Sequence, residues 1–372
     1  MRLLYQSFEI INLLKNADVP VGGAAVEWFT WLNAFKEIGC DVGLLTWKGA
    51  SKIVLKEYNF DFVESYELDK GLPKIRMFTY RIPNFYKAVK KYNPDFILQG
   101  CATINTGILA FIAKILRKPF IHRIGSDMDV DGRIARTFSK WYLSVYYFGI
   151  RNASHISCQN KYQYNILKKR YPNKSISILH NPYFYQERTF KDNKKKYIAW
   201  VGNFRYEKNL PALAEIAKKL PQYKFKIAGT KFHTTDDDTA KGLKALENLS
   251  NVEFVGHINN DSIPEFLNNA YCLLNTSRLE GFSNTFLEAW AVGVPVISTK
   301  NVNPDGIITD FNLGIITNNY DDIHEKIVDL ISNSKYIEFS QRCINYVKQK
   351  HDPIKLAKQF LNEMINSKTI KQ

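Results

Sequence analysis

Short apolar runs rich in Val, Ile and Phe alternate with helix-period segments from end to end of the chain, and this alternation restricts the fold more than any other feature. In the first half, "VGLLT" (42–46), "DFILQ" (95–99) and "PFIHRI" (119–124) read as buried strands. "GAAVEWFTWLNAFKEIG" (23–39) and "INTGILAFIAKILR" (104–117) read as helices. A second series follows with "YIAWVG" (197–202), "KFKIAG" (224–229), "VEFVG" (252–256), "YCLLNTS" (271–277) and "VPVIST" (294–299), separated by helices such as "NLPALAEIAKKL" and "SIPEFLNNA". Strands that alternate with helices are joined by right-handed crossovers and form parallel sheets. At 372 residues the chain exceeds one ordinary core and suits two. The break falls in "LHNPYFYQERTFKDNKKKY" (179–197), where Pro182 stops regular structure and a lysine-rich polar stretch follows, so the linker is expected near 181–196. The expected architecture is α/β, with one doubly wound Rossmann-like domain over 1–183 and a second over 184–350. In 351–372 a proline-started amphipathic helix, "DPIKLAKQFLNEMINS", is expected to pack back on the first domain.

Charge is unevenly spread. Residues 1–183 hold 26 Lys and Arg against 14 Asp and Glu, and the window 70–174 holds 20 against 4. Such a face attracts anionic lipid headgroups, phosphorylated acceptors or nucleic acid, or serves only to keep the protein in solution. The five cysteines are widely spaced and include no C-x-x-C, which fits a reducing cytosol and no metal site. At the N-terminus, Gln6, Glu9 and Asn12 interrupt "MRLLYQSFEIINLLKN" before a signal-peptide core could form. The most apolar run of the first half, "WYLSVYYFGI" (141–150), is shorter than the ~20 residues that span a bilayer. A cytoplasmic protein is expected, one that meets a membrane only by lying on its inner face.

Ligands of open α/β sheets bind beyond the carboxyl ends of the strands, so the loops that leave those ends carry the functional information. Gly22 and Gly23 open a helix in "VPVGGAAVEWF", and Gly202 ends a strand in "WVGNFRYEKN". Neither is G-x-G-x-x-G, and no P-loop is present. A glycine pair at a helix start either makes a tight turn or offers backbone N–H groups to an anion. In "SRLEGFSNTFLEAWAVGVPVIST" (277–299), Glu280 precedes a helix and Glu288 falls inside it. Thr285 and Glu288 have capping-box spacing, which by itself gives Glu288 a structural role. Glu280 caps nothing at its distance, and Ser283, Asn284 and Thr285 sit where a helix start receives phosphate oxygens.

The block E280-G-F-S-N-T-F-L-E288 resembles the E-x7-E signature of the retaining nucleotide-sugar glycosyltransferases of group 1, also called family 4. "VGNFRYEKN" is similar to that family's VG-x-x-x-x-E-K loop, "VEFVGHI" to its base-binding loop and "VGGAAVEWFTWLNAFKEIGCDVGLLT" to its glycine-led first helix. The resemblance covers nearly the whole chain and implies the GT-B fold, two Rossmann-like domains facing a central cleft. It implies a nucleotide diphosphate sugar as donor and a glycan or lipid-linked acceptor, as in cell-surface polysaccharide synthesis, with no cofactor and no metal. By the same resemblance Glu280 contacts the donor sugar and Glu288 the ribose hydroxyls, while Lys208 and Arg205 neutralise the departing diphosphate. Gly22, Gly23, Gly202, Gly256, His257, Gly281, Phe282, Ser283, Asn284 and Thr285 complete the donor site.

Two positions depart from the family pattern. Asn203 follows the loop glycine where many members have Arg, and Ile124 stands where many have a histidine before Gly125. His122, two residues earlier on the same side of a strand, or Asp127 just beyond, is a candidate to meet the sugar or acceptor; a buried structural role for His122 is the alternative. "DMDVDG" (127–132) begins like a calcium loop but has Phe138 at its twelfth position, and "DDD" (236–238) precedes a helix; both read as solvated acidic turns. In "RIARTFSKWYLSVYYFGIR", Ile134, Phe138, Trp141, Val145 and Phe148 fall on one helical stripe beside Arg133, Arg136 and Lys140. That stripe faces either a bilayer interface or the domain core. The alternatives to glycosyl transfer are a nucleotide-sugar epimerase of the same fold and a nucleic-acid-binding protein. The second would account for the charge but not for E-x7-E, so no nucleic-acid partner is expected.

Overall fold

The computed structural model describes residues 1–15, 21–55, 58–190, 194–231, 235–332 and 336–369. Residues 191–193 of the expected linker, and Val19 and Pro20 ahead of the glycine pair, lie outside these. The chain divides into two compact units, Met1–Pro182 with Pro353–Gln372, and Tyr183–Asp352.

The first unit runs β1 (Arg2–Gln6), α1 (Glu9–Leu14), α2 (Gly23–Glu37), β2 (Asp41–Thr46), β3 (Asp61–Glu64), α3 (Ile82–Tyr92), β4 (Phe96–Gly100), α4 (Ile104–Ile115), β5 (Phe120–Arg123), α5 (Met128–Asp131), α6 (Lys140–Asn152), β6 (His155–Cys158), α7 (Lys161–Arg170) and β7 (Ile176–Ile178). Its seven strands lie in the order β3-β2-β1-β4-β5-β6-β7 and pair in parallel throughout. The interior strand β1 has only Leu3, Leu4 and Tyr5 as its apolar run, too short to register among the strands read from the sequence.

The second unit runs β8 (Tyr197–Val201), α8 (Leu210–Lys219), β9 (Phe225–Ala228), α9 (Asp237–Glu247), β10 (Val252–Gly256), α10 (Ile263–Asn268), β11 (Ala270–Leu274), α11 (Asn284–Ala291), β12 (Val296–Thr299), α12 (Ile307–Asp310), β13 (Gly314–Thr317), α13 (Ile323–Ile331) and α14 (Tyr336–Lys350). The strand order is β10-β9-β8-β11-β12-β13, again parallel. The winding reverses between β8 and β11, where such sheets open a crevice at their carboxyl ends. Alternation along β8 feeds two layers. Ile198 and Trp200 pack with Leu210 and Leu213 of α8, whereas Ala199 faces the layer that holds Phe286 and Trp290 of α11.

The last helix, α15 (Pro353–Thr369), belongs to the first unit. Its Phe360 ring meets Trp31 and Phe35 of α2 at centroid distances of 5.2 and 5.8 Å.

The stripe expected over 134–148 is not one helix. Residues Arg133–Arg136 form a single 3-10 turn, and Ser139 caps a new helix, accepting from the Tyr142 N–H. Because α6 packs tightly against α4, its own face is largely committed. A Cβ on Gly107 would stand 2.2 Å from the Val145 carbonyl oxygen, and one on Gly149 2.7 Å from that of Thr106. Ile134 is buried while Trp141 is exposed, so the stripe is split between core and solvent.

Candidate active site

In the second unit, the loop that leaves β8 and the loop that leaves β11 are locked together at the switch point. Trp200 Nε1 donates to Thr276 Oγ1 (3.0 Å), and that hydroxyl donates to the Lys208 carbonyl (2.8 Å). The Arg278 N–H donates to the Glu207 carbonyl (2.8 Å), and the Arg278 guanidinium lies over the Tyr206 ring at 4.0 Å while its Nη2 pairs with Asp238 (2.9 Å). Lys208 ends a 3-10 turn, and Asn209 follows in the left-handed region at φ 53°, turning the chain into α8. The Lys208 stem lies over Gly202, 3.4 Å from where a Cβ on that glycine would be.

These constraints bring together two residues 72 apart in sequence, with the Lys208 ammonium paired to Glu280 Oε1. The Ser277 hydroxyl donates to the same oxygen (2.9 Å). Ser277 is in turn held by Asn275, which accepts its N–H (3.2 Å) and bonds its hydroxyl (3.3 Å), and Asn275 accepts from Ser298 Oγ of β12 (3.2 Å). Burial on its own would raise the Glu280 pKa. The charge and hydrogen bond of Lys208, the Ser277 hydroxyl and the charge of Arg205 outweigh it and hold the carboxyl below its usual range. Glu280 is therefore a fixed anion beside a fixed cation. Arg205 is itself half-exposed, with its Nε 3.8 Å from the Glu207 carboxylate.

Helix α11 starts two residues earlier than the capping box requires. Ser283 is its N-cap, and the Ser283 hydroxyl meets Thr285 Oγ1 at 2.8 Å instead of a backbone N–H. Thr285 is thus already helical and the capping box with Glu288 does not form. Glu288 lies one turn beyond Asn284 on the same helix face, close enough to Tyr183 for its charge to help burial raise that phenol's pKa. Burial pushes Glu288 up to about 7. Gly281 and Phe282 are buried ahead of the helix, with the Phe282 ring 5.5 Å from that of His351. Gly256 ends β10 at φ 73°, and His257 follows, half-buried.

In the first unit the candidates scatter. Gly22 and Gly23 do open α2, but the Glu9 carboxylate already lies there, 3.3 Å from where a Gly22 Cβ would stand. His122 is fully buried in the layer beneath Tyr146, 5.8 Å from that ring, and burial lowers its pKa to about 3. Its side chain sits in the core, as the structural alternative has it. Asp127 accepts from Asn160 (3.0 Å) and Gln163 (2.9 Å), and burial raises its pKa against those bonds. The turn 127–132 is not solvated as its composition suggests. Asp129 is buried, accepts the Gly125 and Ser126 N–H groups at 3.1 Å each, and is pushed up to about 7. In the other acidic turn Asp236 caps α9 through the Thr239 N–H (2.9 Å).

Sequence reasoning named Lys208 and Glu280 but passed over Ser277, Asn275 and Ser298. Their only sign was three small polar residues where strands of this sheet otherwise run apolar.

Comparison with known proteins decides the family of the second unit, for residues 184–350 match the model of the glycosyl transferases, group 1. This segment belongs to that family. An uncharacterised glycosyltransferase of Methanocaldococcus jannaschii is 28% identical over 193 residues, 50% of this chain and 52% of its own length. The chain thus spans about half the length of that curated relative. Sucrose-phosphate synthase of Thermosynechococcus elongatus superposes with a TM-score of 0.78 at 16% identity, covering 100% of both chains. Anabaena HepE, solved with UDP and glucose, gives 0.75 at 15% identity over 98% of this chain and 100% of its own. The two parallel-sheet units of this chain have the GT-B fold. The Lys208–Glu280 pair and the E-x7-E block both lie inside the group 1 segment.

Proposed function

We propose that the protein is a retaining glycosyltransferase that moves a sugar from a nucleotide diphosphate onto an acceptor hydroxyl, in the making of a surface polysaccharide or a lipid-linked glycan. One observation carries this reading: a cation and an anion, Lys208 and Glu280, are fixed at the crevice end of a group 1 domain. In the reaction the bond from the anomeric carbon to the diphosphate oxygen breaks and its electron pair leaves with the diphosphate, while the acceptor oxygen bonds to the anomeric carbon and its proton passes to the departing diphosphate. Lys208 and the start of α11 stabilise the charge that grows on the diphosphate, without a metal ion. Glu280 orients the sugar, and Glu288 accepts the ribose hydroxyls. Since the Anabaena neighbour was solved with UDP and glucose, UDP-sugars head the donor panel, followed by GDP- and dTDP-sugars.

The test is calorimetric titration of that panel, followed by product analysis with the donor that binds. A glycoside as product supports the proposal, whereas an isomerised donor with no glycoside overturns it. EDTA is expected to leave turnover unchanged; a loss restored by a divalent ion would remove the metal-free part of the reading.

Glu288→Gln has two expected effects of opposite sign. Loss of a charged acceptor for the ribose should weaken nucleotide binding by roughly 1.5–3 kcal/mol. Stability moves the other way. A carboxyl with its folded pKa raised from 4.5 to about 7 binds a proton more tightly folded than unfolded, so stability is lost as pH rises through that window. The Gln variant escapes the loss and should be more stable than wild type at pH 8, by about 1–3 kcal/mol, and no more stable near pH 4. Unchanged nucleotide affinity alongside that gain would leave Glu288 a structural residue only.

A further inference from the structure

The segment between β3 and α3 displays apolar side chains that the core does not use. Leu72, Ile75 and Phe78 are 67, 47 and 62% exposed. They lie along an irregular turn in which the Arg76 N–H donates to the Leu72 carbonyl (2.8 Å), Lys74 is left-handed at φ 68° and the Phe78 N–H donates to the Ile75 carbonyl (3.0 Å), and it is their exposure that groups them. The inner side is committed, with Met77, Tyr80 and Ile82 packed against the first unit's core and the Glu67 N–H bonded to the Tyr80 hydroxyl (3.3 Å). The turn is therefore anchored from below while its apolar residues point away from the core.

Its surroundings select what covers it. From Lys70 through Asn93 there are seven basic residues, Lys70, Lys74, Arg76, Arg81, Lys87, Lys90 and Lys91, and no acidic one. Lys70 is partly offset by Glu67 at 2.9 Å, and Arg81 reaches back to the Leu68 carbonyl (2.9 Å); Lys74 is exposed. An apolar protrusion in a cationic rim fits a surface that is apolar within and anionic at its boundary, which describes an acidic bilayer. The segment leaves the carboxyl end of β3, the end at which open α/β sheets take their ligands.

We propose that the turn 68–81 is an interfacial anchor that seats the first unit on anionic lipid, with Leu72, Ile75 and Phe78 in the headgroup boundary and Lys74 and Arg76 on lipid phosphate. This moves membrane contact away from α6, whose face is taken by α4. Vesicle binding requires neither donor nor turnover, so its failure would leave the glycosyltransferase reading standing, and the reverse.

The experiment is flotation of the full chain with phosphatidylcholine vesicles, with and without phosphatidylglycerol, over a salt series. Wild type should float only with phosphatidylglycerol and release as salt rises. Lys74→Gln with Arg76→Gln should weaken partition roughly 30-fold, at about fivefold per cation. Leu72→Ser with Phe78→Ser should weaken it about tenfold or more, and Trp141→Ser on α6 should leave it unchanged. Indifference of wild type to lipid charge, flotation of both double variants like wild type, or loss of binding in Trp141→Ser alone would overturn the assignment. So would a dimer in sedimentation that Leu72→Ser with Phe78→Ser dissolves, since the turn would then be covered by a second copy.

Discussion

Lys208→Ala should lower kcat by about 10²-fold or more while leaving the affinity for the nucleotide sugar within severalfold of wild type. The reasoning rests on where the charge is needed. In the ground state the diphosphate charge is shared with the sugar phosphate ester, and in the transition state more of it gathers on the departing oxygen. A donor fixed beforehand at that position is worth most in the transition state, and removal of one such group costs about 3–4 kcal/mol elsewhere. Lys208 is fixed, since its stem lies over Gly202 and its ammonium is held at Glu280. Its partner supplies an internal control. Glu280→Gln removes the sugar contact proposed for it but leaves the cation, so it too should reduce kcat with affinity for free nucleotide diphosphate almost intact. Single-turnover rates and titration of the free diphosphate separate these effects. Near-normal turnover in Lys208→Ala would take the residue out of the mechanism.

Both residues were legible from the sequence through a family signature, and the structure adds why they meet. A separation of 72 residues carries no local information; it becomes contact because β8 and β11 are neighbours across the reversal of winding. Strand and helix placement followed from periodicity wherever the apolar run was long enough, as at Asp41–Thr46 and Phe96–Gly100, and failed at β1, where three apolar residues in a row resemble the start of a helix. The misread features share a cause. Thr285 against Ser283 as N-cap is a shift of two positions within a string of small polar residues, each able to cap, and the choice is made by the loop that enters α11. At 133–152 a regular helical stripe concealed a break because Ser139 caps as well as it continues a turn. For His122 the two-residue alternation gave the correct side of the strand, but the layer covering that side depends on α6, some 20 residues further on. The Asn275–Ser277–Glu280 relay is local to the loop that leaves β11, and its tertiary part is Ser298, which reaches Asn275 from another strand.

The second large effect concerns stability of the first unit. Arg123 and Glu27 are 1 and 4% exposed at their side chains and meet at 2.5 Å. Arg123 gives its remaining donors to Ser157 Oγ (2.9 Å), the Leu179 carbonyl (3.0 Å) and Asn181 Oδ1 (2.8 Å), and Glu27 accepts from Trp31 Nε1 (3.1 Å) and Gln159 Nε2 (3.0 Å). The guanidinium thus ties β5 to β6 and to the segment that leaves β7, while the carboxylate ties them to α2. Deleting one member of such a pair leaves the other as an uncompensated buried charge, at a cost of about 3–5 kcal/mol. Arg123→Met should therefore destabilise the unit by that amount at pH 8. Adding Glu27→Leu removes the stranded charge, and the double variant should recover much of the stability at pH 8. Urea unfolding at pH 8, followed by tryptophan fluorescence, reads both expectations. If the double variant is less stable than Arg123→Met at pH 8, Glu27 stabilises the unit through Trp31 and Gln159 independently of Arg123, and the paired-charge account fails.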